Sequence, residues 1–151
     1  MIREDLYLDI VQLMPIPCVD VLVSDENRVL LLRRANDPAK NCWWFPGGRI
    51  LHGESRTQAV RRKMLEECGL EVSAIEEIKT AELFLPHEDG YVAHGITTVF
   101  TAQGSSVDPV KVDEQTIEAR WLPTESILNL DLHPFVRGLL AECLTSEASG
   151  T

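Results

Sequence analysis

Apolar and polar positions recur along this chain with two different periods, and each change of period marks a change of element. Leu6, Ile10 and Leu13 fall at three- and four-residue steps, which predicts an amphipathic helix over residues 4–13, ended by Pro15 and Pro17. Residues 18–23 read as a strand, 24–27 as a turn and 29–32 as a second strand, so the two should form a hairpin. A loop through Asn36, Asp37 and Pro38 leads to the aromatic run Trp43, Trp44, Phe45, and the following Pro46, Gly47, Gly48 is expected to break regular structure. The helical period returns at Val60, Met64 and Cys68, one buried stripe of a helix over 57–68 that Gly69 stops. Residues 71–85 are mostly extended, with Ile75 to Ile78 ambiguous between helix and strand. A polar loop over 86–90 precedes a strand over 92–102. A flexible loop at 104–109, a short strand over 119–122 and a short helix from Pro123 follow. A last helix runs from Pro134 to about Leu144, and the tail 146–151 is expected to be disordered. Strands and helices in mixed order, with no linker, predict one α/β or α+β domain over 1–151.

Composition narrows the function. The formal net charge is −10. A protein that grips a phosphate backbone or an anionic membrane surface should carry the opposite sign, so neither partner is expected. A phosphate-handling protein this acidic needs local cations, supplied by a few Arg or by bound metal. Cys18, Cys42, Cys68 and Cys143 show no CxxC spacing and sit among apolar residues, as reduced thiols of a cytoplasmic protein do. The acidic N-terminal stretch is not expected to act as a signal peptide, and no apolar run reaches the length of a membrane span.

One stretch carries chemistry. Residues 48–70 read GRILHGESRTQAVRRKMLEECGL. Glu66 and Glu67 are one helical step apart, and Arg62 lies one turn before Glu66, where an i,i+4 ion pair orients that carboxylate. Glu54 precedes the helix and can fold back toward it. Clustered carboxylates suit Mg²⁺, which takes a few carboxylates together with substrate phosphates, and Gly47 and Gly48 allow backbone to approach a ligand closely. Any one of these Glu residues alone would be read as a solvated surface charge; the combined spacing is what argues for a site. Trp43, Trp44 and Phe45 could stack a base, but such a run before a Gly-Gly turn reads more readily as core.

The spacing resembles the signature of the Nudix hydrolases: Gly48, five residues, Glu54, seven residues, Arg62, then Met64, Glu66, Glu67, Gly69 and Leu70, eight of nine specified positions. The resemblance implies a Nudix α/β/α sandwich with a mixed β-sheet. It also implies a Mg²⁺ cofactor, with Mn²⁺ as a substitute, and a hydrolase that cleaves a nucleoside diphosphate linked to another group. The departure is Lys63, where the family has Glu. An ammonium there would repel a second or third cation, or else the side chain points outward and does nothing.

Leu31 to Ala39 and Trp44 to Arg49, with Asp20 and the segments 113–116 and 120–122, are similar to the GDP-mannose mannosyl hydrolase branch. That similarity implies that the Gly47 carbonyl, Glu67 and the Gln115 amide oxygen hold the metal, and that Arg34 and Arg49 contact the diphosphate or leaving group, with Asp20 on the substrate side. Unlike that branch the chain keeps both Glu66 and Glu67, a pair that favours attack of water at phosphorus, so Glu66 is expected to join the metal ligands, and Glu54 and Glu66 to act in catalysis with Arg34 and Arg49. The first expected substrate is an NDP-sugar such as GDP-mannose. That branch has a His after the Gln; Thr116 stands here, and Thr is no base at neutral pH, which leaves His87, His94 and His133 as replacements. The alternatives are a nucleoside triphosphate or ADP-ribose pyrophosphatase attacking phosphorus, or a domain that binds nucleotide without turnover. A homodimer packed through the apolar N-terminal helix is also expected.

Overall fold

A computed structural model describes residues 2–105 and 110–149, with side chains as far as Thr145. In chain order its elements are α1 (Glu4–Leu13), β1 (Ile16–Asp25), β2 (Arg28–Arg34), β3 (Trp43–Trp44), β4 (Gly47–Arg49), α2 (Arg56–Cys68), β5 (Ser73–Pro86), β6 (Val92–Gln103), β7 (Thr116–Pro123), a 3₁₀ turn at Ile127–Asn129 and α3 (Pro134–Ser149).

The seven strands form one mixed sheet. Its main path runs β3-β2-β1-β6-β5, with β4 on β1 and β7 on β2. β1 pairs in parallel with β6 from Ile16↔Gly95 to Ser24↔Gln103. Its other edge is shared by β4 near the start and β2 at the hairpin end. Strict alternation along β1 and β2 sends side chains to both faces. Val19, Val21, Val23, Leu30 and Leu32 pack with Val60, Met64 and Cys68 of α2. Leu22, Val29 and Leu31 pack on the opposite side with Val136, Leu139 and Leu140 of α3. The fold is therefore a sheet with one helix on each face, the α/β/α sandwich expected from the sequence.

α2 begins where Ser55 caps it. The Ser55 hydroxyl accepts from the Gln58 N–H at 3.1 Å, and the Gln58 side chain accepts from the Ser55 N–H at 2.8 Å. The helix ends at Gly69, whose φ of 64° lets its N–H reach back to the last carbonyls. Both ends thus fix where the Glu66–Glu67 pair stands.

Several boundaries differ from the sequence reading. Gly47–Arg49, expected to break regular structure, is a strand, because the free edge of β1 supplies its partners. Gly is required there for close approach: a Cβ on Gly47 would lie 2.1 Å from the Val19 carbonyl oxygen. β7 starts at Thr116 rather than Ala119, pairing along β2, and Pro123 ends it instead of opening a helix. The ambiguous Ile75–Ile78 segment is strand, with register shifts between Ser73 and Glu76 and between Glu77 and Lys79. The backbone of 146–149 is helical rather than disordered; residues 150–151, and 106–109 of the predicted flexible loop, lie outside the described residues. No helix among the described residues is long and apolar enough to cross a membrane.

Candidate active site

Two clusters of charge meet where α2 faces β4. In the first, Arg62 is the hub. Its Nε and Nη2 donate to both Glu54 oxygens, at 2.7 and 3.0 Å, and Nη2 also donates to the Arg49 carbonyl at 3.0 Å. Nη1 donates to Glu66 Oε2 at 3.1 Å, the predicted i,i+4 contact. The bidentate bond from Arg62 and the N–H of Leu51 hold the Glu54 carboxyl below its ordinary range. Glu54 is thus a fixed anion that clamps the loop before α2 onto the helix.

The second cluster surrounds Glu67, which is buried at 7% exposure. Its Oε1 accepts from the Gly47 N–H at 3.1 Å and lies 3.3 Å from Lys63 Nζ. Burial pushes its carboxyl above the ordinary range, and Lys63 and the Gly47 N–H counter that rise. Lys63 Nζ is also 3.7 Å from Glu66 Oε2. The Lys63 side chain therefore points inward, along Gly48, where a Cβ would meet Lys63 Cε at 2.9 Å. The outward reading of Lys63 is set aside by this contact.

These contacts use Oε2 of Glu66 and Oε1 of Glu67, leaving the other oxygen of each carboxylate for a further ligand. That donor set fits Mg²⁺, which needs only one or two carboxylates when water and substrate phosphate complete its shell. No three His, Cys, Asp or Glu side chains among the described residues form a metal-binding group by themselves.

The other expected site residues are spread around this centre. Asp20 is 5% exposed; Thr97 Oγ1 donates to its Oδ2 at 2.6 Å and Trp44 Nε1 to its Oδ1 at 3.1 Å. Both oxygens are thus engaged in the interior, by one donor from β6 and one from β3. Burial first, against the bonds from Thr97 and Trp44, pushes its carboxyl up to about 7. Arg34 donates through Nε to the Pro38 carbonyl at 2.7 Å, and its charge lowers the Asp20 carboxyl. The Arg49 guanidinium lies over the Tyr7 ring of α1, 4.6 Å from its centroid. Gln115 is exposed at the end of the 113–116 turn, its N–H donating to Asp113 Oδ1 at 3.0 Å and its carbonyl accepting from the Ala35 N–H. Among the described residues no hydrogen bond or ion pair joins the Gln115 side chain to Glu67.

Asp113 was not singled out from sequence, yet its charge acts on Glu67, raising that carboxyl, while its Oδ1 also accepts from the buried Thr116 hydroxyl at 3.3 Å. A carboxylate two residues before a candidate ligand in the same turn was the available signal. Trp44 and Phe45 are core, packed on Phe135 of α3. Of the histidines, the Nδ1 atoms of His87 and His133 accept from backbone N–H groups two residues ahead, and His94 stacks on Phe84. None has a hydrogen bond or ion pair to Glu66, Glu67 or Gln115 among the described residues.

A mixed sheet between two helices, with a capped helix presenting paired carboxylates to a Gly-Gly strand, defines a class. The chain belongs to the NUDIX family: the family's model, described as NUDIX domain, matches residues 14–143. It is similar to the low-salt glycan biosynthesis protein Agl8 of Haloferax volcanii, 35% identical over 88 residues, 58% of this chain and 56% of that protein. It is also similar to the ADP-ribose pyrophosphatase of Methanocaldococcus jannaschii, 38% identical over 68 residues, 45% of this chain and 40% of that one. The chain thus spans little more than half, or less, of these relatives' lengths. Among solved structures, the NUDIX domain of Shewanella oneidensis NrtR complexed with ADP ribose is 25% identical with a TM-score of 0.68, covering 95% of this chain and 99% of that one. The MutT NUDIX hydrolase of Burkholderia pseudomallei, at 22% identity and a TM-score of 0.71, covers 85% of this chain and 97% of that one and shares the fold.

Proposed function

We propose that the chain is a Mg²⁺-dependent hydrolase, with Mn²⁺ as a substitute, that cleaves a nucleoside diphosphate linked to another group by attack of water at phosphorus. The observation that carries this reading is the pair of half-engaged carboxylates, Glu66 and Glu67, held beside the Gly47–Arg49 strand by Arg62, Lys63 and the Gly47 N–H. Glu66 and Glu67 would hold the metal, with the Gly47 carbonyl and the Gln115 amide oxygen completing the protein's share. The metal supplies charge neutralisation on the diphosphate.

The protein's own groups do the rest. Arg62 locks Glu54 and the Arg49 carbonyl, so Arg49 leaves a fixed backbone toward the substrate. Arg34 and Arg49 engage the diphosphate through their planar forks. As the water oxygen bonds to phosphorus the bridging P–O bond breaks, its electron pair leaves on the departing phosphate, and the water's proton passes to solvent at the exposed face beside Glu66. Attack at phosphorus is favoured over attack at the sugar carbon because Thr116 is buried and bonded to Asp113, and among the described residues none of the three candidate histidines has a hydrogen bond or ion pair to Glu66, Glu67 or Gln115.

An NDP-sugar such as GDP-mannose is the first substrate. ADP-ribose is the second, favoured by the similarity to the Methanocaldococcus enzyme. The four free thiols support a cytoplasmic setting. The exposed Leu6, Leu8, Leu13 and Met14 support self-association through α1, which sedimentation of the purified chain tests.

The decisive assay is ³¹P NMR of products from GDP-mannose, ADP-ribose, GTP and 8-oxo-dGDP with Mg²⁺. A nucleoside monophosphate product from either diphosphate conjugate is expected, with a loss of roughly a hundredfold or more in Glu67→Gln while the fold is kept. Free mannose with GDP would overturn attack at phosphorus. Nucleotide binding without turnover across the panel would make the chain a binding domain.

A further inference from the structure

Lys63 occupies the position where the family signature has an acidic residue, and its side chain is only 12% exposed. A surface lysine would extend its ammonium into water. Here the aliphatic stem lies along Gly48, in space that any Cβ at that position would take, and Nζ is delivered to within 3.3 Å of Glu67 and 3.7 Å of Glu66. The missing Cβ of Gly48 thus gives the Lys63 stem room to reach inward.

The charge balance says what that cation does. Within the ion-paired group itself, Glu54, Glu66 and Glu67 set against Arg62 and Lys63 leave one negative charge. An acidic residue at 63 would leave three, so the exchange amounts to two units, the charge of one divalent ion. Arg62 is fully committed to Glu54, Glu66 and the Arg49 carbonyl, which leaves Lys63 as the cation on Glu67.

We propose that the Lys63 ammonium is a tethered cation that stands in for one divalent ion at the Glu66–Glu67 site, so that the chain holds one fewer metal ion than the same site with an acidic residue at position 63. This deepens, and rests on, the metal-dependent reading above. It also assigns Lys63 a positioning role: it holds Glu67 toward Gly47 when the metal is absent.

The test is Mn²⁺ binding to the purified full chain, followed by loss of the free-ion EPR signal and by calorimetry, without substrate. The proteins are the wild type, Lys63→Met, Lys63→Glu and the double variant Lys63→Glu with Glu67→Gln, each checked for folding by thermal unfolding. Lys63→Met keeps the stem on Gly48 and removes only the charge; it should tighten Mn²⁺ binding at least about fivefold, since a like charge leaves the site. Lys63→Glu should bind about one Mn²⁺ more per chain than the wild type, and Glu67→Gln should abolish the gain.

Unchanged affinity in Lys63→Met and unchanged stoichiometry in Lys63→Glu would overturn the proposal. So would a gain that survives Glu67→Gln, because the extra ion would then sit elsewhere. A wild type that binds no Mn²⁺ beside a Lys63→Glu variant that does would leave the tethered cation standing and sink the metal-dependent reading of the native chain. Binding by neither would overturn both.

Discussion

Asp20→Asn would isolate a carboxyl that burial holds far above its ordinary range. Asp20 lies under β4 with both oxygens bonded, to Thr97 and Trp44, and its carboxyl is pushed from an ordinary value of 3.8 up to about 7. A raised acid in the folded state binds its proton more tightly than in the unfolded chain. Its contribution to stability is therefore fully present below pH 3.8 and is lost as pH rises toward about 7. At about 1.36 kcal/mol per pKa unit the whole effect is at most ~4 kcal/mol. Asn keeps the acceptor for Trp44, and its amide can donate to the Thr97 hydroxyl. Its cost, about 1 kcal/mol for the reversed bond, does not vary with pH. Urea unfolding of both proteins from about pH 4.5 to about pH 7.5, with matched m-values, gives the difference in stability. Asp20→Asn should gain on the wild type by at least about 2 kcal/mol across that window. Parallel curves would mean that Asp20 is charged in the folded protein throughout, and that burial does not govern it.

Two further outcomes follow from the same geometry. Arg49→Lys should lose about tenfold and Arg49→Ala about a hundredfold in kcat/KM for the substrate turned over, because Lys keeps the charge but not the fork; equal activity in all three proteins would remove Arg49 from the substrate. Met64→Ala, at a position with no exposure between α2 and the sheet, should cost about 2–5 kcal/mol by chemical denaturation, and a loss under about 1 kcal/mol would mean the core closes over the gap.

Local patterns made α2 and the β1–β2 hairpin legible. The stripe Val60, Met64, Cys68 and the stop at Gly69 sit within one element and depend on nothing distant. The two-faced alternation of Val19 to Val23 and Val29 to Leu32 likewise records the sheet between two helices. The Arg62–Glu66 contact was readable for the same reason, as a one-turn spacing. β4 was not readable, because Gly47 and Gly48 look like a break until the free edge of β1 is known to lie beside them. The bond that Thr97 donates to Asp20 joins residues 77 apart, a contact no local pattern encodes. The direction of Lys63 depends on the missing Cβ of Gly48, fifteen positions earlier and on another element. What escaped the sequence was the set of contacts made by one element on another.

The parallel pairing of β1 with β6 has a consequence for how the chain is made. Every register pair from Ile16↔Gly95 to Ser24↔Gln103 joins residues 79 apart. Strand β1 is synthesised before its long partner β6, which follows only about 4–16 s later at ordinary elongation rates. During that interval an apolar strand with Val19, Val21, Leu22 and Val23 has β2, β4 and α2 beside it but lacks the longest pairing of its edge. Closing so long a loop before the contacts reward it makes the folding step slow and exposes the nascent chain to aggregation. Substitutions that slow β6 should therefore lower the yield of folded protein in the cell before they alter the stability of the finished molecule.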